Sequence, residues 1–211
     1  MAVTTRFQVR PMTEADIAQV AAIEHESFPT TWPQTAYRRE LSNNLARYLV
    51  VVDRSHAPVQ PDDVPSRQSF FARFRRGRQP VSPTTDYIVG YIGVWLMVDE
   101  AHIVAIAVRE AYRGQGLGER LLADAIELAL DNDQESVTLE VRKSNDVAQR
   151  LYEKYRFLKV GMRKRYYSDN HEDAVIMTTP PIQADAYREH LEYLRLQMER
   201  RGHSARSGET D

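Results

Sequence analysis

Residues 103–118 read Ile103-Val104-Ala105-Ile106-Ala107-Val108-Arg109-Glu110-Ala111-Tyr112-Arg113-Gly114-Gln115-Gly116-Leu117-Gly118, and how that run is read decides the fold. Its first six residues are apolar, partly β-branched and free of Gly or Pro, the signature of a short buried strand. A polar turn follows, and then glycines on alternate positions, 114, 116 and 118. Leu121, Leu122, Ala125, Ile126 and Ala129 then recur at helical spacing. The order is strand, glycine loop, helix. Alternate glycines let successive backbone N–H groups converge, and the helix opening behind them adds its positive dipole end. Such a loop suits a phosphate or pyrophosphate; a glycine turn that merely caps a helix is the plainer alternative. Spacing removes two other readings. A dinucleotide fingerprint needs a glycine at position 119, where Glu119 stands, and a P-loop needs Gly-Lys before Ser or Thr, which is absent.

The chain has 211 residues, 42% hydrophobic and 27% charged, with a net charge of −2. That suits one domain of about 150 residues with additions, and nothing global asks for nucleic acid or an anionic membrane. There are no cysteines, so disulfides, thiolate metal sites and cysteine nucleophiles are excluded, in keeping with a reducing cytoplasm. Residues 1–10 hold no apolar stretch of signal-peptide length, and no apolar run anywhere approaches membrane-spanning length. The six histidines show no ligand spacing, and no metal is expected.

Residues 6–10 alternate as a first strand. Thr13 reads as a helix N-cap with Glu14 and Asp16 in the first turn, and the helix runs to the break at Phe28-Pro29. Pro33 opens a second helix to Leu41. Between them, the aromatic, proline-stiffened loop around Phe28 and Trp32 is either a rigid connector or one wall of a substrate cleft. Residues 48–52 form a strand. Residues 54–85 hold five of the ten prolines and six arginines, so they read as an insertion. Within it, Arg73, Arg75, Arg76 and Arg78 with interleaved Phe could touch ribosomal RNA or an acidic surface; a solvated insertion is the plainer reading. Residues 87–98 form a long strand whose Gly90 and Gly93 mark a bulge or a close backbone approach, and Asp99-Glu100 turns it into the central strand. Strands at 136–141, 157–167 and 174–178 and a helix at 145–155 complete the domain, which Pro180-Pro181 closes. Beyond it, Tyr187, Leu191, Leu194 and Met198 make one apolar stripe on a helix over 184–200, which docks on the domain or on a second copy as a homodimer. Residues 201–211 read as a disordered tail.

A second segment, Leu139-Glu140-Val141-Arg142-Lys143-Ser144-Asn145 followed by Ala148, Leu151-Tyr152 and Phe157, is a strand, a polar turn and a helix that Asn145 caps. Taken alone, Glu140 is a carboxylate on the opposite face from Leu139 and Val141, and solvation explains it. Taken with Arg113-x-x-Gly116-x-Gly118, with Phe28-Pro29, and with Arg165-Tyr166-Tyr167 before His171-Glu172-Asp173-Ala174-Val175-Ile176-Met177, the segment resembles the ribosomal-protein-alanine N-acetyltransferases (RimI type) of the GNAT superfamily. The resemblance spans roughly residues 6–182, apart from the insertion. It departs from the family at Arg156, where glycine is usual and the turn should therefore differ, and at Ala111, where proline is common.

The resemblance implies an α/β GNAT fold, a mixed and mostly antiparallel central sheet flanked by helices, with the C-terminal helix added. Residues 1–182 would be the acetyltransferase domain, including the 54–85 insertion, residues 183–200 the helix and 201–211 the tail. Acetyl-CoA would be the cosubstrate, held by Ile106, Ala107 and Val108, by Arg113, Gly114, Gln115, Gly116, Leu117 and Gly118, and by Asn145. Glu140 would be the general base and Tyr152 the general acid. Phe28, Trp32, Tyr166 and Tyr167 would line the acceptor side. Acyl transfer gives those types a reason: the amine must lose a proton and the departing thiolate must gain one. An α-amine titrates near ~7.8 and a lysine near ~10.4, a gap of roughly 3.5 kcal/mol, so an α-amine asks less of one carboxylate. The implied acceptor is a protein N-terminus, alanine on a small-subunit ribosomal protein, in the cytoplasm. Lysine, polyamine or another small amine stays open as acceptor, as does a non-catalytic acetyl-CoA-binding module.

Overall fold

The computed structural model describes residues 6–57 and 86–207, with side chains to Arg201. Most of the arginine-rich insertion, including Arg73 to Arg78, lies outside the described residues. In chain order the elements are β1 (Phe7–Pro11), α1 (Ile17–Ser27), α2 (Gln34–Leu41), β2 (Ala46–Asp53), β3 (Ile88–Leu96), β4 (Glu100–Val108), α3 (Leu117–Asp131), β5 (Ser136–Arg142), α4 (Asp146–Lys154), β6 (Leu158–Arg163), β7 (Ala174–Thr178) and α5 (Asp185–Ser207). They build one seven-stranded sheet in the order β1-β2-β3-β4-β5-β7-β6. Every neighbouring pair is antiparallel except β4 and β5, which are parallel and joined through α3. This is the mixed, mostly antiparallel sheet expected from the sequence.

Two cores cover the two faces. On one, α3 lays Leu121, Leu122, Ala125 and Ile126 against Ala101 and Ile103 of β4 and Val137 and Leu139 of β5, with Tyr152 and Phe157 joining from α4 and the turn after it. On the other, Ile17, Val20 and Ile23 of α1 and Tyr37 of α2 pack on Val50, Tyr91 and Ala107. Strand β3 is buried along both faces, as its unbroken apolar run requires. At Thr13 the helix start is a capping box: Asp16 accepts from the Thr13 N–H at 2.8 Å and from its hydroxyl at 2.9 Å.

The decisive irregularity is a bulge in β4. Gly93 pairs with Ala105 but Val94 with Ile103, so Val104 is the extra residue. Both glycines of β3 mark this crowded region. A Cβ on Gly93 would stand 2.5 Å from the Tyr48 ring, and one on Gly90 would stand 3.0 Å from the Ala107 carbonyl oxygen. A bulge bends and twists its strand, and β4 leaves its parallel neighbour at this point. The β4–β5 ladder stops at Ile103 and Leu139, although β4 continues to Val108 and β5 to Arg142.

The insertion leaves and re-enters at one place, because the Arg54 guanidinium meets Asp86 at 3.0 Å and Asp86 also holds Arg10 at 3.0 Å. At the other end of the chain, α5 buries Tyr187, Leu191 and Leu194 on its own domain, and Tyr187 Oη donates to the Tyr155 carbonyl at 3.0 Å. The stripe therefore docks on the chain's own domain, the first of the two placements read from the sequence. The helix also outruns its expected end at 200, continuing to Ser207 into the stretch read as tail. Arg201, the first residue of that extension, pairs with Glu119 on α3 at 3.0 Å.

Arg156 corrects another expectation. It does not change the turn after α4: it adopts φ +60, the left-handed conformation glycine would supply, while the Phe157 N–H returns to the Tyr152 carbonyl at 3.0 Å. A side chain there costs about 1 kcal/mol or more. It is partly offset by a bond from Arg156 to the Ala186 carbonyl at 3.0 Å. Arg156→Gly is expected to raise the melting temperature by about 2 °C. A calorimetric decrease would mean that the tether to α5 outweighs the strain.

Candidate active site

Parallel strands that part at their carboxyl ends leave a crevice, and the helices that follow them aim their N-termini at it. Here β4 runs into the glycine loop and α3, and β5 runs into Asn145 and α4, so both N-termini border the gap that opens beyond Ile103 and Leu139. The Ile106–Val108 segment of β4 lies past its last pairing with β5, which leaves one backbone edge free to bind.

Gly114 and Gly116 have φ of +76 and +77, and a Cβ built on either would meet nothing within 4 Å. The glycines are thus required by backbone conformation, and the surface above them is bare. Leu117 anchors the loop in the core. Arg113 Nε donates to the Val108 carbonyl at 3.1 Å, and its guanidinium reaches Ser27 Oγ at 3.4 Å, tying the loop to the ends of β4 and α1. Asn145 caps α4, its side-chain oxygen accepting from the Ala148 N–H at 3.1 Å.

Glu140 is neither solvated nor alone. Its side chain is only 8% exposed; one oxygen takes His102 Nε2 at 2.9 Å and the other takes an Arg163 nitrogen at 2.9 Å. Alternation explains the meeting, since His102 and Glu140 both face away from Ile103 and Leu139. His102 escaped sequence reading because a lone histidine in an apolar strand carries no spacing signal. Only the parallel register, His102 opposite Thr138, brings it beside Glu140. Tyr152 comes from the α3 side, with its ring 5.7 Å from that of Phe157. Burial pushes its phenol well above the usual range, with Tyr167 adding to the effect, so the hydroxyl stays protonated.

Arg142 organises the loop between β6 and β7. It binds Asp169 at 2.8 Å and Glu172 at 3.2 Å, and lies 3.9 Å over the Tyr167 ring. Glu172 also accepts from the Ser144 N–H at 2.7 Å, which joins this loop to the start of α4. Burial pushes the Tyr167 hydroxyl up to about 12, and Glu140 contributes to the same shift. Tyr167 thus sits within electrostatic reach of both Glu140 and Tyr152. Tyr166 stands edge-on to it at 5.3 Å and is 45% exposed.

Across the sheet, Trp32 is 40% exposed while Phe28 packs on the second core. Beneath them lies Glu24, a residue the sequence did not single out. It is buried, accepting from the Trp32 N–H at 3.1 Å and from Tyr37 Oη at 2.8 Å, and Tyr37 in turn contacts Tyr91 Oη at 3.2 Å. Burial raises the Glu24 carboxyl, against its two hydrogen bonds. A raised folded-state pKa means stability is lost as pH climbs from the unfolded value toward the folded one. Glu24→Gln is therefore expected to gain on the wild type as pH rises from 4 to 7 in denaturant melts. A difference that stays flat with pH would show that Glu24 is not the group responsible.

Among known proteins, the family model described as the acetyltransferase (GNAT) family matches residues 17–157. A Bacillus subtilis protein named putative [ribosomal protein bS18]-alanine N-acetyltransferase is 37% identical over 174 residues, 82% of this chain and 95% of its own length. The Mycobacterium tuberculosis N-alpha-acetyltransferase RimI is 31% identical over 176 residues, 82% of this chain and 92% of its own. The crystal structure of the ribosomal-protein-S18-alanine N-acetyltransferase from Escherichia coli superposes with a TM-score of 0.63 at 22% identity, covering 83% of this chain and 94% of that one.

Proposed function

The chain belongs to the GNAT acetyltransferase family and is an N-acetyltransferase; from that premise we propose that it acetylates the α-amine of a protein N-terminus, an N-terminal alanine on a small-subunit ribosomal protein. The observation that carries the reading is the opening between β4 and β5, with a left-handed glycine loop at one side and the Glu140–His102 pair at the other. The names of the Bacillus subtilis and Mycobacterium tuberculosis relatives support the acceptor.

Acetyl-CoA fits this opening because the glycine loop is bare and the β4 edge is unpaired where a thioester arm would lie. When bound, it supplies the activated acetyl group. The N–H groups of residues 114–118 and the dipole of α3 hold its pyrophosphate. Arg113, with its guanidinium drawn back onto Val108 and Ser27, braces the loop. The Asn145 oxygen is committed to the α4 cap, so its amide nitrogen is the atom left for the pantetheine arm. A β4 backbone N–H among residues 106–108 polarises the carbonyl that is attacked. At the acceptor, Glu140 fixes His102 and draws the proton of the incoming ammonium onto the pair, His102 being the more exposed of the two. Tyr152 Oη, kept neutral by burial, returns a proton to the departing sulfur. Phe28, Trp32, Tyr166 and Tyr167 flank the acceptor chain on two loops.

Residues 1–182 act as one catalytic unit with α5 added. A cytoplasmic setting suits the absence of cysteine, and no helix among the described residues is long and apolar enough to cross a membrane. The test is CoA release with an alanine-headed peptide beside a blocked peptide carrying one internal lysine. Turnover on the free N-terminus alone is expected. Turnover on the blocked peptide moves the assignment to lysine.

A further inference from the structure

Glu119 is the third residue of α3, one turn past the left-handed Gly116 that caps it, and it is 9% exposed. An acid in the first turn ordinarily gains from the helix dipole. Here that helix end is the one read as the pyrophosphate site, so a bare carboxylate would compete for the same positive pole and repel the arriving charge. Protonation offers no escape: burial would raise the Glu119 carboxyl, but its cation partners hold it below the usual range.

The chain surrounds this carboxylate with cations. Lys154 Nζ, at the end of α4, lies 2.5 Å from one oxygen, and an Arg201 nitrogen reaches both oxygens at 3.0 Å. The Tyr155 hydroxyl donates to it at 3.3 Å. Lys154 lies within the family-matched residues, whereas Arg201 arrives from α5, beyond them. Helix α5 runs antiparallel along α3, with Arg195 pairing to Asp124 at 2.7 Å and to Glu127 further down. Its length thus carries Arg201 back to the start of α3.

We propose that Arg201 is a positioning residue for acetyl-CoA, which neutralises Glu119 under the phosphate loop so that α5 prepares the cosubstrate site from outside the family's common domain. The proposal rests on the acetyl-CoA reading of that loop. It assigns α5 a share in cosubstrate affinity, with no role in the acyl transfer itself.

Isothermal titration of acetyl-CoA into the full chain tests it, comparing wild type, Arg201→Ala, Arg201→Gln, Glu119→Gln and the Arg201→Ala/Glu119→Gln double variant. Either Arg201 variant should bind about tenfold more weakly. Glu119→Gln should bind at least as tightly as wild type and should restore the double variant to within about twofold of it. In turnover, the loss should fall on KM for acetyl-CoA, with kcat held. Wild-type affinity in the Arg201 variants overturns the proposal. So does a defect that persists in the double variant, because Arg201 would then act only by holding α5. If the wild-type chain itself fails to bind acetyl-CoA, the reading of the loop fails first and takes this one with it.

Discussion

Glu140→Gln is expected to lower kcat/KM by about 10²- to 10³-fold while leaving the fold intact, within the range general acid–base groups contribute. The substitution keeps the shape but places an amide NH2 where an oxygen now meets either Arg163 or His102, both at 2.9 Å. One of those two donors then faces a donor, and the neutral amide cannot take up the proton that the carboxylate would share with His102. His102→Ala should cost a similar factor. Because the two act as a unit, the double variant should be little worse than the poorer single one, far short of the product of the two losses. Steady-state kinetics with the alanine-headed peptide decides the matter. A Glu140→Gln enzyme within threefold of wild type would remove this pair from proton transfer, and multiplicative losses would make the two residues independent. Arg163 is the useful contrast: it is 53% exposed and offers only donors, so its loss should tune the pair without abolishing it.

The mutual dependence of Glu140 and His102 also shows where sequence reading stops. The strand, glycine loop and helix around Gly114, Gly116 and Gly118 were legible because each step has a local cause: an apolar run, residues free to adopt positive φ, and a 3.6-residue repeat. The caps at Asn145 and Thr13 and the end of α1 at Phe28 were legible for the same reason. What stayed hidden depends on register. The Val104 bulge has no signature beyond Gly93, yet it puts Val104 and Ala105 on one face and parts β4 from β5. His102 meets Glu140 only through a parallel pairing of β4 with β5, whose connection is the 27 residues 109–135. Arg142 binds a loop nearly thirty residues away, and Glu24 is hydrogen-bonded by an aromatic loop that read as either a connector or a cleft wall. At Arg156 composition misled, since a left-handed turn persisted without the glycine that normally marks it.

Gly116→Ala should raise KM for acetyl-CoA by about tenfold and lower the melting temperature by about 2–4 °C. At φ +77 an alanine costs roughly 1–2 kcal/mol. No atom lies within 4 Å of the added Cβ, so the loss cannot come from a clash within the chain. It comes from relaxation of the backbone away from the left-handed conformation, which turns the N–H groups of residues 116 and 117 off their common target. Gly118 supplies the comparison, because it lies within α3 and its Cβ would only touch Val108 at 4.0 Å. Gly118→Ala should therefore raise the melting temperature, by the ordinary helix preference of about 1 kcal/mol for alanine over glycine. Opposite signs in the two melts would trace the requirement at 116 to backbone conformation. Matching signs would make the glycines interchangeable and leave α3, with its dipole and first-turn N–H groups, as the chief source of anion affinity.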